Sequence, residues 1–197
     1  MAGSLIKIDE EIVSSAVASV TLTGIDSTYD VYMVRFNNVQ GDTDSVSFKE
    51  RFTVSGTAQS TANYDYAAKT IRDNAAFANN YATNQTELFV NTQTAMGTGT
   101  GETLQGVRYL FNFSNTSFSF PTRKDADATG LGISGYFFNP NDSSSYTFYK
   151  SQASFISTYF TNRKMIGVHK VAEQITGFQV FPQSGTFTLD ISVYGVK

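Results

Sequence analysis

The chain has 197 residues, a net charge of −3, no cysteine and no tryptophan, and only 16% of its residues are charged. Without cysteine there is no disulfide, no thiol nucleophile and no cysteine metal site. The basic residues are scattered, with Arg123-Lys124 and Arg163-Lys164 the closest pairs, so the stripe of positive charge that nucleic-acid binding requires is missing.

Met1-Ala2-Gly3-Ser4 runs directly into Leu5-Ile6-Lys7-Ile8. No basic segment followed by an apolar one precedes a cleavage site, so no secretory signal is expected, and release by lysis is favoured over export. No apolar run is long enough to cross a bilayer, and no membrane association is expected. The length fits one domain that holds a core without covalent staples.

Period-two patterning dominates and argues for strands. Ile6, Ile8, Ile12 and Val13 begin the series, and Ala18, Val20 and Leu22 alternate with Val17, Ser19 and Thr21. After Gly24, Val31–Phe36 is rich in β-branched and aromatic residues. Gly41–Asp44 is a turn, and Val46, Phe48, Phe52 and Val54 form the next strand, closed by Gly56. From Tyr64 to Asn84 the alternation fails, and Ala67, Ala68, Ile71, Ala75 and Phe77 hint at a short helix. A strand is predicted at Thr86–Val90, and Met96–Gly101 reads as a loop. The stretch Ala58–Leu104 is therefore expected to be an insertion that covers the side of a β scaffold or reaches a neighbour.

Strands resume at Val107–Phe113, Ser117–Phe120, Ile133–Phe138, Thr147–Ser151, Phe155–Phe160, Met165–Lys170, Ile175–Phe181 and Phe187–Tyr194. Turn signals at Thr122–Gly130, Asn139–Asp142, Thr161-Asn162 and Pro182–Gly185 separate them. Many short strands at this spacing point to an all-β fold, an antiparallel β-sandwich of jelly-roll type. Residues 1–197 would form a single domain with a central insertion at about 58–104. Leu22, Val34, Phe111, Phe178 and Leu189 are predicted to point inward. The clearest two-faced pattern sets Phe187, Leu189, Ile191 and Val193 against Thr186, Thr188, Asp190 and Ser192. That strand is expected to pair with Ile175–Phe181 as a closing hairpin, with Tyr194 on its polar face.

Residues that carry chemistry are few. His169, the one histidine, lies in a strand and reads as a side chain on a sheet face; no Gly-x-Ser-x-Gly elbow accompanies it. Asp42 with Asp44, Asp125 with Asp127, and Asn141 with Asp142 could supply oxygen ligands for calcium, but such residues serve turns in their own right. Gly97–Gly101 lacks the Lys-Ser/Thr and the helix of a phosphate loop. A glycosidase needs a buried carboxylate of raised pKa; among acidic residues only Asp190 sits in an obviously apolar strand, and alternation turns it to solvent. No catalytic residue, cofactor or metal site is assigned. The aromatics stand out, with 17 Phe and 11 Tyr. Phe111, Phe113, Phe178, Phe181 and Phe187 are expected in the core. Tyr64, Tyr66, Tyr81, Tyr146, Tyr149 and Tyr159 are expected at a rim or interface.

Three stretches carry a family likeness. Ala16–Thr23 followed by Gly24-Ile25-Asp26-Ser27-Thr28-Tyr29 is similar to a strand and turn normally written Ile-Pro-x-Thr-Tyr. Gly135–Pro140 with Tyr146–Lys150 resembles a strand–Asn-x-Asn–strand unit. Ile175–Val180, Ser184-Gly185-Thr186-Phe187 and Val193-Tyr194-Gly195-Val196 resemble a closing hairpin. Together, over about half the chain, these resemble the jelly-roll structural proteins of bacteriophage virions. Asp26 stands where proline is usual, and the family's centre is not recognisable in Ala58–Leu104.

The resemblance implies a non-enzymatic capsid decoration, head-fibre or tail-fibre component, assembled in the host cytoplasm and located in the virion. Its partners would be itself, as a homo-oligomer with a trimer favoured, and major capsid or tail proteins. A second reading is a lectin-like module that recognises a host surface glycan through tyrosines and turn carboxylates. A third is a polysaccharide-degrading enzyme on a β scaffold.

Overall fold

Alternating side chains need two surfaces, one apolar and one wet, and the backbone supplies them as two antiparallel sheets. The computed structural model describes residues 4–42, 47–73, 77–91, 131–156 and 160–197. In chain order the strands are β1 (Leu5–Val17), β2 (Val20–Thr23), β3 (Val31–Gly41), β4 (Phe48–Val54), β5 (Thr57–Ala58), β6 (Tyr64–Arg72) and β7 (Phe77–Gln85). They continue with β8 (Leu88–Asn91), β9 (Leu131–Phe138), β10 (Thr147–Ile156), β11 (Phe160–His169), β12 (Gly177–Pro182) and β13 (Phe187–Val196). The larger sheet runs β1-β13-β3-β9-β10-β11-β6-β7; the smaller runs β2-β12-β4-β5, with β8 also on β4.

One core lies between the sheets. Leu22, Phe48, Phe52, Phe178 and Val180 enter it from the smaller sheet, and Tyr32, Val34, Phe36, Phe137, Phe187, Leu189, Ile191 and Val193 from the larger. Edge-to-face aromatic pairs stitch the two together: Phe36 with Phe48 at 5.8 Å between centroids, Phe52 with Phe137 at 5.1 Å, and Phe137 with Phe178 at 5.1 Å. Each buried ring contributes about 2–3 kcal/mol of apolar transfer. Leu22, Val34, Phe178 and Leu189 are inward as predicted; Phe111 and Phe113 lie outside the described residues. Phe181 is half-buried at the margin, with the Arg51 guanidinium 4.5 Å above its ring.

Three expectations change. The helix hint at Ala67–Phe77 gives way to strands on either side of residues 74–76, which lie outside the described ones: β6 pairs with β7 and with β11, and no helix occurs among the described residues. Strand spacing in β6 buries Tyr64, Tyr66, Ala68 and Thr70 and leaves Ala67, Lys69 and Ile71 outside. The closing hairpin does not form. β12 pairs with β2 and β4, whereas β13 pairs with β1 and β3 in the other sheet. Residues 183–186 thus cross between sheets, with Gln183 N–H donating to the Ser47 carbonyl at 2.9 Å. The Phe155–Phe160 strand is likewise divided, since Phe155 belongs to β10 and Phe160 to β11. The predicted strands at Val107–Phe113 and Ser117–Phe120 and the loop at Met96–Gly101 fall outside the described residues.

The turn at Gly24–Tyr29 has its own chemistry. Asp26 Oδ1 accepts the Thr28 N–H at 2.8 Å, and the buried Tyr32 hydroxyl donates to the Asp26 carbonyl at 2.9 Å while accepting its N–H at 3.0 Å. A side-chain-capped turn does here what a proline's fixed φ would do.

Candidate functional site

The outward face of the larger sheet is the feature that core packing does not explain. Cross-strand register sets one side chain per strand in a row that spans the sheet: Lys7, Tyr194, Met33, Tyr136, Lys150, Ile166, Ala67 and Tyr81. The neighbouring row brings Phe138 beside Phe148 and Phe148 beside Val168. Tyr81 is 79% exposed, Ile166 62% and Phe148 46%. Exposed apolar side chains scattered singly mean little, but contiguous ones mark contact surfaces.

The face is hollowed at its β7 end. Ala67 lies between Ile166 and Tyr81, and its methyl group leaves a floor between two longer side chains. Two adjoining clefts of about 530 and 660 Å³ open there, sharing Ala67, Tyr81, Lys150 and Ile166. Both are of ligand-binding size. Tyr81 and Phe148 stand at the walls of one, and Asn79, Asn80, Gln152, Lys69 and Lys164 line the other. A polar tie fixes this end of the sheet: Asp65 accepts the Asn84 N–H at 2.7 Å and pairs with Lys170 at 2.9 Å, while Lys170 also donates to Asn84 Oδ1 at 2.7 Å. Lys170, together with that N–H, holds the Asp65 carboxyl below its ordinary range.

Charge on the face is one-sided. Lys164 and Lys69 are direct cross-strand partners, and Lys150 is diagonal to Lys164 because it opposes Ile166 two residues away. Like charges so placed repel. Among the described residues none of the three has an acidic partner; Lys69 instead lies 5.5 Å over the Phe77 ring.

The opposite, inner face holds groups that sequence patterning did not separate. Tyr64, Tyr66 and Tyr149, expected at a rim, are buried; Tyr81 and Tyr146 are exposed; Tyr159 lies outside the described residues. Tyr64 stacks on His169 with 4.6 Å between centroids. Its hydroxyl accepts the Phe52 N–H at 3.1 Å and donates to the Gln59 carbonyl at 3.0 Å. His169 is wholly buried, and its Nε2 contacts Glu173 Oε1 at 2.7 Å. Gly135 is required beneath Tyr149, because a Cβ there would meet the Tyr149 ring at 2.7 Å and its hydroxyl at 2.9 Å.

Glu50 was missed. It is fully buried in β4, neither carboxylate oxygen has a hydrogen-bond partner, and burial pushes its pKa up to about 8. The signal was legible: Phe48-Lys49-Glu50-Arg51-Phe52 alternates, so Glu50 must share the face of Phe48 and Phe52. Asp190 is not the carboxylate in apolar surroundings; it is half-exposed. With 0% of Glu50 exposed, this carboxyl is shut away from any polymer substrate in the folded chain.

Turn carboxylates are engaged locally. Asp42 accepts the Thr186 N–H at 2.8 Å and hydroxyl at 2.6 Å, and Asp142 Oδ1 accepts the Ser144 N–H at 2.8 Å. Asn141 donates to the Ile175 carbonyl at 2.8 Å. Among the described residues no three acidic or histidine side chains gather in a metal-binding group; Asp44, Asp125 and Asp127 lie outside them. The chain matches no protein-family model, no curated protein and no solved structure.

Proposed function

We propose that this chain is a non-enzymatic structural protein of a bacteriophage particle, a jelly-roll domain that self-associates and attaches to a capsid or tail lattice as a decoration or fibre component. The observation that carries the reading is strand order. The first strand lies beside the last, β1 with β13, and the second beside the penultimate, β2 with β12. The third and fourth strands continue those two sheets as β3 and β4. A chain that alternates between sheets in this nested way is what a jelly roll requires. On this reading β6 and β7, from the stretch predicted as an insertion, join β10 and β11 in prolonging one sheet beyond β9.

The exposed aromatic face supports attachment, because a protein that works by contact needs apolar surface that its own fold leaves uncovered. The test is mass spectrometry of particles purified from a lysate that contains this chain. The reading expects the chain in the particles at a fixed ratio to the major capsid or tail protein; its absence from washed particles would overturn the proposal.

A glycan-recognising module is the second reading, favoured by the placement of Tyr81 and Phe148 beside Asn80 and Gln152 around the paired clefts. A glycan array would then show a specific hit that Tyr81→Ala abolishes.

A further inference from the structure

We infer that the cleft at the β7 end of the larger sheet receives the β1 edge of a second copy of this chain, joining copies head to tail. The inference rests on the self-association proposed above and names the two surfaces. β1 and β7 are the two edges of the same sheet. An edge strand presents unpaired backbone groups, and proteins that do not use such edges shield them.

The two ends carry complementary side chains. At the β7 end are exposed Tyr81, Ile166 and Phe148, with Lys69, Lys150 and Lys164 unpaired among the described residues. At the β1 end exposed Glu11 shares a strand face with exposed Ile6, opposite Ile191 and Gly195, while exposed Leu5, Glu10 and Ile12 lie on the other face. Glu10 is spoken for by Lys7 at 2.9 Å, and Asp9 accepts the Thr23 N–H at 3.0 Å. Glu11 is exposed, and no ion pair or hydrogen bond engages its side chain among the described residues, so it is the carboxylate best able to meet the lysines of a neighbour. Acid and aliphatic at one edge thus match lysine and aromatic at the other, and the like-charge pair Lys69 and Lys164 loses its repulsion once a carboxylate arrives.

Contact between two different surfaces is heterologous, and repeats until the rotation closes into a ring. Such a ring makes no use of the smaller sheet.

Charge exchange tests the pairing. The full chain, the Lys164→Glu variant, the Glu11→Lys variant and the chain with both changes are compared by sedimentation velocity over a concentration series, with melting curves to verify folding. Each single reversal is expected to weaken association at least tenfold, and the doubly changed chain to recover most of it. Unchanged association in the single variants, or no recovery in the double one, overturns the inference. So does a Lys164→Glu variant that assembles normally but no longer binds a sulfated polysaccharide probe, because the lysines would then serve an anionic glycan. A wild-type monomer that is nonetheless found in purified particles would refute this interface and leave the virion reading standing. Charge-swap rescue with no copies in particles would do the reverse.

Discussion

Neighbouring residues along β9, β10, β11 and β6 end up in opposite worlds. Phe137 and Tyr149 sit in the core, while Phe138 and Phe148, one residue away, are on the outer face. Tyr66 is covered and Ala67 is not; Met165 is covered and Ile166 is not. Aromatic and aliphatic side chains occur on both faces, although Lys69, Lys150 and Lys164 lie only on the outer one. The difference is that the inner face has a second sheet against it and, among the described residues, the outer face has none. Parity along the strand assigns each side chain to a face, and only the packing of sheet on sheet decides which face is the core.

The severest test of the inner face is Leu189→Asp. Leu189 is 1% exposed on β13, one strand in from the β1 edge, and Asp there loses the apolar burial, leaves a cavity and must give up its charge, together a large share of a domain's margin of about 5–15 kcal/mol. We expect loss of the cooperative melting transition. A folded variant with the wild-type midpoint would mean that β13 does not form the core.

Glu50 sharpens the same point from the opposing sheet. Below about pH 4.5 its carboxyl is protonated in folded and unfolded chains alike. As pH rises, the unfolded chain ionises while the folded one keeps its proton, because burial raises the folded pKa to about 8. Stability should therefore fall between these values by up to about 5 kcal/mol. Denaturant midpoints at pH 5, 7 and 9 should decline for the wild type and lose that decline in Glu50→Gln. Parallel pH profiles for the two proteins would show that Glu50 reaches water.

Glu87 gives a smaller effect of opposite sign. Burial alone would raise its pKa, but hydrogen bonds from Thr86, Lys49 and Arg51 outweigh this and hold it below the ordinary value. The ion pairs, at 2.9 Å to Lys49 and 3.0 Å to Arg51, are thus at full strength above the unfolded pKa and are lost as pH falls through the folded one. Glu87→Ala should cost about 2–3 kcal/mol at pH 7, since two half-buried cations lose their shared carboxylate. A cost that stayed the same at pH 3 would mean the loss is one of packing, not charge.

The fold was legible in the sequence wherever one face was apolar throughout. β3, β9 and β13 lie where Val31–Phe36, Ile133–Phe138 and Phe187–Tyr194 alternate. β7 was illegible because it is an edge strand, with polar and exposed residues on both faces and no period to read. β6 was mistaken because Ala67, Ala68 and Ile71 share a helical spacing by coincidence, whereas its inward set is Tyr64, Tyr66, Ala68 and Thr70. The hairpin expectation failed for a different reason. Alternation fixes which face of β12 and β13 is buried, but it is silent on whether two consecutive strands share a sheet. The cleft was beyond reach for the same reason, since Lys150, Ile166, Ala67 and Tyr81 come from four strands that only the register aligns.

The outer face has the most direct test. Ile166 is 62% exposed, so Ile166→Asp should cost only about 1 kcal/mol of stability, yet it places a charge in the middle of the proposed contact. Light scattering on the wild-type chain over a concentration series should give a fixed multiple of the 21.6 kDa chain mass. The Ile166→Asp variant should fall to a single chain that still melts in one cooperative transition, its midpoint lowered only by the loss of association. A wild type that remains at the mass of one chain at the highest concentration, or a variant whose mass matches the wild-type oligomer, would contradict the account.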